Sequence, residues 1–546
     1  MRMPTTAAVP RLGAFWARWS RLTASAARRH WLLTLLLVAG LALRVLVQIA
    51  YRPALFYIDS IKYLYGAYPG NDPPGYQFFL KAFLSVGNLD MVAALQHILG
   101  LGMAIALYAL LLRRGVPRWL AALATAPVLL DGYQLQMEQT VMPDVLFEVL
   151  LVAGLVLLLW RDKPGLWALA VAGLLLGLAP TLWQPGEIVL LPVVIYAAIM
   201  ASGWRARLGH AALIGVAFLV PIVAVSARND VVLHDFSLAP AAGSTIYGRM
   251  AYAADCSTLK LPPLERPLCV PRAEALKWGP DNLDHATYSP LKNLVLPPGV
   301  SERSEVDKFA KQVIEQQPLR VIGSVLSDAI KVFAVHRVTS AGDTPIWRWQ
   351  FQTGYPQYAP YVTVKNGLIQ FADQNKFQQV VVLGNGLNFG GGPPKVVKPI
   401  ATFLRAYQLD GGYTPGPLLL FTLITGLIGS LFLLVRRKYL DERGWQTARA
   451  CCLVLASGVL LLLLSDTFEF SWRYQLPALM TLPPAGALGI TVMIGFFTQR
   501  RRARSGAAGP ATPAEAGAPL PTPSAAPVPE SAVDEGMTVP EQQTGR

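Results

Sequence analysis

Residues 31–51 read WLLTLLLVAGLALRVLVQIAY, and the stretch that follows at 51–83 reads YRPALFYIDSIKYLYGAYPGNDPPGYQFFLKAF. The first is an apolar run of about twenty residues, the length at which a helix crosses a bilayer core of about 30 Å. The second leaves the bilayer and places Asp59 only a few residues beyond the run. The rest of the chain repeats that arrangement. Of 546 residues 53% are hydrophobic and 15% charged, with a mean hydropathy of +0.40. A soluble chain carries about 25% charged residues. The composition therefore excludes a soluble globular fold and predicts a polytopic α-helical membrane protein. A net charge of +14 does not indicate a nucleic-acid partner, because most Lys and Arg sit in short loops between apolar runs.

Ten runs are predicted to span the membrane, at about 31–51, 91–112, 119–137, 144–160, 166–184, 187–203, 208–227, 415–435, 446–464 and 474–497. Pro127 and Asp131 interrupt the third, and the sixth is short. Residues 1–30 hold Arg2, Arg11, Arg18, Arg21, Arg28 and Arg29, no acid, and no cleavage-like ending behind an apolar core. The first span therefore reads as a retained anchor whose basic flank lies in the cytoplasm. Alternation then predicts inside loops at Arg113, Arg114 and Arg118; at Arg161 and Lys163; at Arg205 and Arg207; at Arg436, Arg437, Lys438 and Arg443; and at Arg500 to Arg502. The outside turns 138–143 and 185–186 hold no Lys or Arg. Both termini are expected in the cytoplasm of a multi-pass protein of the plasma membrane.

The expected organisation is a basic segment 1–30, a core of seven spans over 31–227, an extracytoplasmic α/β or irregular domain over 228–413, three spans within 414–497, and a disordered tail 498–546. Cys256 and Cys269, in DCSTLKLPPLERPLC, lie in that outer domain on the oxidising side and are expected to pair. Cys451 and Cys452 read as small apolar core residues. No Cys/His set has zinc spacing.

Ionisable groups in or at the mouth of a membrane bundle are costly and are candidates for function. Three outer segments carry them. The first holds Asp59 among Lys62, Tyr63 and Tyr65, then a Pro-Pro-Gly break at 73–75 that opens an amphipathic interfacial helix through Tyr76 and Gln77. The second, LQMEQTVMPDVLFEVLL, holds Glu138 in the turn and Asp144 behind Pro143, where an acid suits a helix start. Glu148 lies one turn deeper on the same face and needs a partner there. The third, SDTFEFSWRYQLPAL, offers Arg473 and Tyr474 between Trp472 and Pro477. The planar fork of Arg473 matches phosphate oxygens, and an interfacial anchor beside Trp472 is the alternative.

An acid just after the first span, an interfacial helix opened by Pro-Pro, and an acid-bearing turn before the fourth span resemble the GT-C membrane glycosyltransferases. Within them the chain is most similar to the protein O-mannosyltransferase and aminoarabinose-transferase group. The likeness covers about 31–230 and, through Arg473, Tyr474 and Pro477, part of 415–497. Asp59-Ser60 stands where the mannosyltransferases typically show two adjacent acids.

The resemblance implies an inverting transferase that moves a sugar from a polyprenyl-phosphate carrier to a hydroxyl of a glycan, lipid or protein at the outer face. It implies Asp59 as the general base, Arg473 and Lys62 on the carrier phosphate, and Glu138 and Asp144 on sugar hydroxyls or on Mg²⁺ or Mn²⁺. Tyr63, Gln77, Glu148 and Tyr474 would support them. The competing classes are a transporter or flippase and an envelope polysaccharide polymerase or ligase. A flippase would need ionisable groups at mid-membrane depth on several spans. Here only Arg44, His97, Asp131 and Glu148 interrupt the span interiors.

Overall fold

In the computed structural model the chain is described at residues 25, 27–57, 59–66, 69–240, 245–354, 362–365, 368–371, 389–390, 395–434 and 440–507. It divides into two units, 1–499 and 500–546, and apart from the last residues of the final helix the features below lie in the first. The arginines at 2, 11, 18 and 21, the loop cations at 436–438 and the tail from 508 fall outside the described residues.

Helix α1 (Trp31–Ala50) shows how the sequence is adapted to lipid. Leu35, Val38, Leu41, Val45 and Ile49 are exposed, while Gly40, Leu43, Arg44, Val47 and Ala50 are buried. An apolar outside and a polar, close-packed inside reverse the pattern of a soluble helix. Strand β1 (Tyr51–Arg52) follows. Next come α2 (Ser60–Tyr65) and α3 (Gly75–Leu84), which tucks Tyr76 and Leu80 inward. Gly66 ends α2 at φ +66°, and a Cβ there would stand 2.6 Å from Gln77 Nε2, so the corner between the two helices requires glycine.

The core continues through α4 (Leu89–Arg113), α5 (Arg118–Leu130), α6 (Gly132–Gln139), α7 (Asp144–Leu159), α8 (Leu166–Leu178), α9 (Leu190–Met200) and α10 (Trp204–Leu233). The outer segment contributes α11 (Thr245–Ala253), α12 (Arg272–His285), α13 (Glu302–Gln316) and α14 (Pro318–Ala329), packed on Tyr247, Met250, Leu268, Phe309 and Val313. A hairpin of β2 (Val362–Lys365) and β3 (Leu368–Phe371) follows, then β4 (Lys395–Val396), antiparallel to β1, and α15 (Lys398–Leu409). Helices α16 (Gly416–Leu431), α17 (Glu442–Phe468) and α18 (Pro477–Ala507) complete the fold.

Among the described residues six helices are long and apolar enough to cross a membrane: Trp31–Ala50, Leu89–Arg113, Trp204–Leu233, Gly416–Leu434, Glu442–Phe468 and Trp472–Arg501. The other four expected spans fall on shorter helices. The third breaks into α5 and α6 at Asp131, which accepts the Tyr133 N–H at 2.9 Å and so caps α6. The same carboxylate accepts the Thr414 N–H at 2.7 Å and pairs with Arg337 at 3.0 Å, tying the break to the outer segment and to the approach of α16.

Glu138 has a fate the sequence did not foretell. Expected in an outer turn as an ion or sugar ligand, it is buried on α6. Arg44 Nη2 reaches its Oε1 at 2.7 Å and His97 Nδ1 its Oε2 at 2.9 Å. The carbonyls of Gly40 and Leu129 accept from Arg44 Nη1 and that of Val128 from Nη2. Gln96 donates to the carbonyls of Glu138 and Thr140 at 2.8 and 2.9 Å. One carboxylate thus fastens α1, α4 and α6, because a charge at this depth persists only when its lone pairs are filled.

Cys256 and Cys269 are joined in a disulfide with Cα atoms 5.9 Å apart. The Cys256→Ser/Cys269→Ser double variant should lose about 3 kcal/mol of outer-domain stability, from the entropy of an opened short loop, and a two-temperature proteolysis assay would read it. Arg44→Met alone should cost about 3–5 kcal/mol in detergent unfolding, because Glu138 is left buried and uncompensated. Adding Glu138→Gln should recover most of that loss.

Candidate active site

Four of the singled-out residues, Asp59, Lys62, Asp144 and Arg473, meet in one cluster. Asp59 stands at the start of α2 with its carboxylate making no cap bond. It is therefore available to Lys62 Nζ at 3.0 Å and to Arg473 Nη1 at 3.2 Å. Arg473 lies in the short helical turn Trp472–Gln475 between α17 and α18, and its Nε donates to Asp144 Oδ1 at 2.8 Å. Asp144 opens α7 behind Pro143. Lys62 also pairs with Asp72 at 2.9 Å. The result is an alternating row, Asp72–Lys62–Asp59–Arg473–Asp144, drawn from three separate segments of the chain. Arg473 is only 5% exposed, so its two carboxylates compensate a charge almost out of water.

An aromatic wall encloses this row. The Arg473 guanidinium lies 5.7 Å from the Trp349 ring and 5.3 Å from that of Tyr474. Tyr474 stacks on Trp183 at 5.6 Å, and Tyr57 packs on Trp349 at 4.6 Å. Arg348 adds a second guanidinium, donating to the Tyr57 hydroxyl at 3.0 Å. Arg348 and Trp349 belong to IWRW at 346–349, in the outer segment. An Arg between tryptophans in a polar stretch is the only local signal for them in the sequence.

The other supporting residues lie around the row. Tyr63 is buried edge-on to Tyr76 at 5.2 Å, and Tyr76 donates to Gln96 at 2.9 Å. Gln77 braces the α2–α3 corner under Gly66. Glu148 is fully buried and takes the Gln134 amide at 2.8 Å, the partner that its depth demands. Glu138 lies apart in the cluster described above.

Charge on the loop groups follows from these contacts. Burial opposes the Asp59 carboxylate, but Lys62 and Arg473 outweigh it and hold its pKa below the ordinary aspartate value. For Lys62 burial likewise opposes the charge, and Asp59 with Asp72 raises its pKa. The donor set does not fit a divalent ion as expected for Glu138 and Asp144. The cation between Asp59 and Asp144 is the Arg473 guanidinium, and both Glu138 oxygens are engaged by Arg44 and His97. Among the described residues no group of three His, Cys, Asp or Glu is placed to hold a metal.

At the rim, burial pushes Glu469 up to about 8; Asp281 reinforces the shift and His285 opposes it. Asp281 of α12 and Tyr474 lie close enough to Glu469 to act on its charge. His285, bonded to Asp281 and raised to about 9, is 64% exposed and screened by water. An acid whose folded pKa is raised loses stability as pH climbs from its unfolded value toward the folded one. Taking the protein from pH 6 to pH 9 should therefore loosen the contact of α12 with residues 469–471. Amide exchange in both segments should rise, and Glu469→Gln should remove the pH dependence.

The chain matches the family model for dolichyl-phosphate-mannose-protein mannosyltransferase over residues 60–225. The match starts one residue after Asp59 and includes Asp144. A comparison with curated protein sequences finds no match. Among solved structures, the apo crystal structure of the Archaeoglobus fulgidus oligosaccharyltransferase is 13% identical with a TM-score of 0.37, covering 88% of this chain and 52% of that one. The archaeal oligosaccharyltransferase AglB from the same organism, in complex with an inhibitory peptide and a dolichol-phosphate, is 12% identical with a TM-score of 0.37, covering 89% and 53%. The chain thus spans about half the length of these structures. The resemblance read from Asp59, the Pro-Pro element and the turn before α7 is borne out by the family model: in its membrane core the chain is similar to the protein mannosyltransferases of the GT-C kind.

Proposed function

We propose that the protein is an inverting glycosyltransferase that moves a sugar from a polyprenyl-phosphate carrier to a hydroxyl acceptor at the extracytoplasmic face of the membrane. The observation that carries this reading is the convergence of Asp59 and Asp144, from separate loops, on the buried Arg473. Asp59 serves as the general base. Its lowered pKa keeps it ionised at neutral pH, so it can take the acceptor hydroxyl proton as the new glycosidic bond forms. The bond from the sugar to the carrier phosphate breaks in the same step, with an oxocarbenium-like transition state.

Negative charge then grows on the departing phosphate. Arg473 and Lys62, already fixed around Asp59, meet that charge without reorganising. Among the described residues Asp144 Oδ2 is buried without a hydrogen-bond partner, an acceptor suited to a sugar hydroxyl. The aromatic wall of Trp349, Tyr474 and Trp183 offers apolar ring faces to a pyranose. The outer segment, which supplies Arg348 and Trp349 beside Tyr57, selects the acceptor. The exposed apolar faces of the surrounding helices provide the lipid-side route for the polyprenyl tail.

Transfer of labelled sugar from a polyprenyl-phosphate donor in membranes tests this. Asp59→Asn should lower turnover about 100- to 10,000-fold. Arg473→Lys should lose about 100- to 1,000-fold, because the ammonium cannot span both carboxylates and a phosphate. Wild-type activity should hold through the neutral range and fall only below the ordinary aspartate range, as Asp59 protonates. Full activity in both variants would remove the proposed site.

A further inference from the structure

The loops bearing Arg113, Arg114, Lys163, Arg207 and Arg443 meet at one end of the bundle and, with Arg449, line a cavity of about 1180 Å³. That end is opposite to Asp59. Helix α4 leaves the outer loop at Leu89 and ends at Arg113, and α17 begins at Glu442 and ends beside the turn that carries Arg473. We propose that this cavity binds phosphate-bearing anions, with the headgroup of an anionic lipid as its occupant.

Six cations face the cavity against two acids, Asp162 and Glu442, which leaves four positive charges in excess. Asp162 pairs with Arg114 at 3.1 Å, and Glu442 accepts from Gln446 at 2.9 Å. Topology alone would put positive residues at this end but has no need to aim them into one hollow. Arg118, Arg161 and Arg205 belong to the same set of loops and do not line it.

Several of the lining cations are also held in place. Arg114 is buried and bonded to the carbonyls of Leu159 and Arg161, Arg113 lies 5.3 Å from the Trp160 ring, and Arg449 lies 5.7 Å from the Trp445 ring. A preorganised set of guanidinium forks matches phosphate oxygens and suits them better than carboxylates of unfixed geometry.

Depth selects the lipid source. Trp160, Trp167 and Trp204 are 39%, 83% and 67% exposed near the same turns, the arrangement of a belt at headgroup level. Ile199 and Met200 form an apolar part of the wall, on which the first carbons of an acyl chain can rest. The volume exceeds the roughly 300–1,000 Å³ of a drug-sized pocket, so a phosphodiester headgroup enters with water around it. Basic hollows between spans on the cytoplasmic side are physically suited to such headgroups. The assignment stands on the cavity and its charge and does not depend on the proposed transfer reaction.

Native mass spectrometry of the full chain in neutral detergent tests it, with phosphatidylglycerol, phosphatidylcholine and inorganic pyrophosphate as separate probes. Phosphatidylglycerol should bind and phosphatidylcholine should not. Lys163→Gln/Arg443→Gln, both exposed to the cavity, should weaken binding about 30-fold, at two cations removed. Arg118→Gln/Arg205→Gln, with the same change in net charge outside the cavity, should leave it unchanged. If pyrophosphate binds and displaces the lipid, the phosphate site holds and its source is soluble. The proposal is overturned if phosphatidylglycerol binds no better than phosphatidylcholine and pyrophosphate does not bind, or if the two double variants weaken binding equally. A comparable melting temperature for the two variants separates loss of the site from loss of the fold.

Discussion

The bridge from Arg473 to Asp59 and Asp144 is the contact on which this end of the bundle depends. A guanidinium 5% exposed has given up nearly all its hydration, and only close, well-aligned anions compensate that loss. The two carboxylates arrive on different elements, one at the start of α2 and the other at the start of α7, while the arginine hangs between α17 and α18. Satisfying one buried charge therefore draws together the early and late parts of the chain. The same requirement leaves cations poised where an anionic leaving group would be met, so the structural need and the proposed chemistry share one arrangement.

Buried charge is used a second time, to a different end. Arg44, His97 and Glu138 lock α1, α4 and α6, with both Glu138 oxygens and both terminal nitrogens of Arg44 engaged. Asp144 keeps one oxygen without a partner among the described residues, whereas Glu138 keeps none. Two acids six residues apart thus do opposite work. The free lone pair distinguishes a group that can meet a ligand from a group that holds helices together.

Much of this was legible in advance. Apolar runs of about twenty residues predicted the long helices, since hydropathy and length are local properties that lipid enforces. Pro143 before Asp144 and the Pro-Pro-Gly break at 73–75 marked two helix starts correctly. The third span, expected over 119–137 with Pro127 and Asp131 interrupting it, breaks at Asp131 into two helices, and Thr414 and Arg337 from far along the chain reinforce that break. Arg348 and Trp349 were missed for a related reason: they are ordinary residues in a polar segment until Tyr57 packs against them.

By itself the sequence determined that the chain lives in a membrane, where its charges alternate and which acids lie near helix starts, because each of these is set by residues close in the chain. Only the tertiary structure decided which acids share a cation. It put Asp59 and Asp144 on Arg473, Glu138 on Arg44, and four basic loops around a single hollow. Such pairings join residues up to hundreds of positions apart, and the cost of burying each charge, which selects its partner, exists only after the helices have packed.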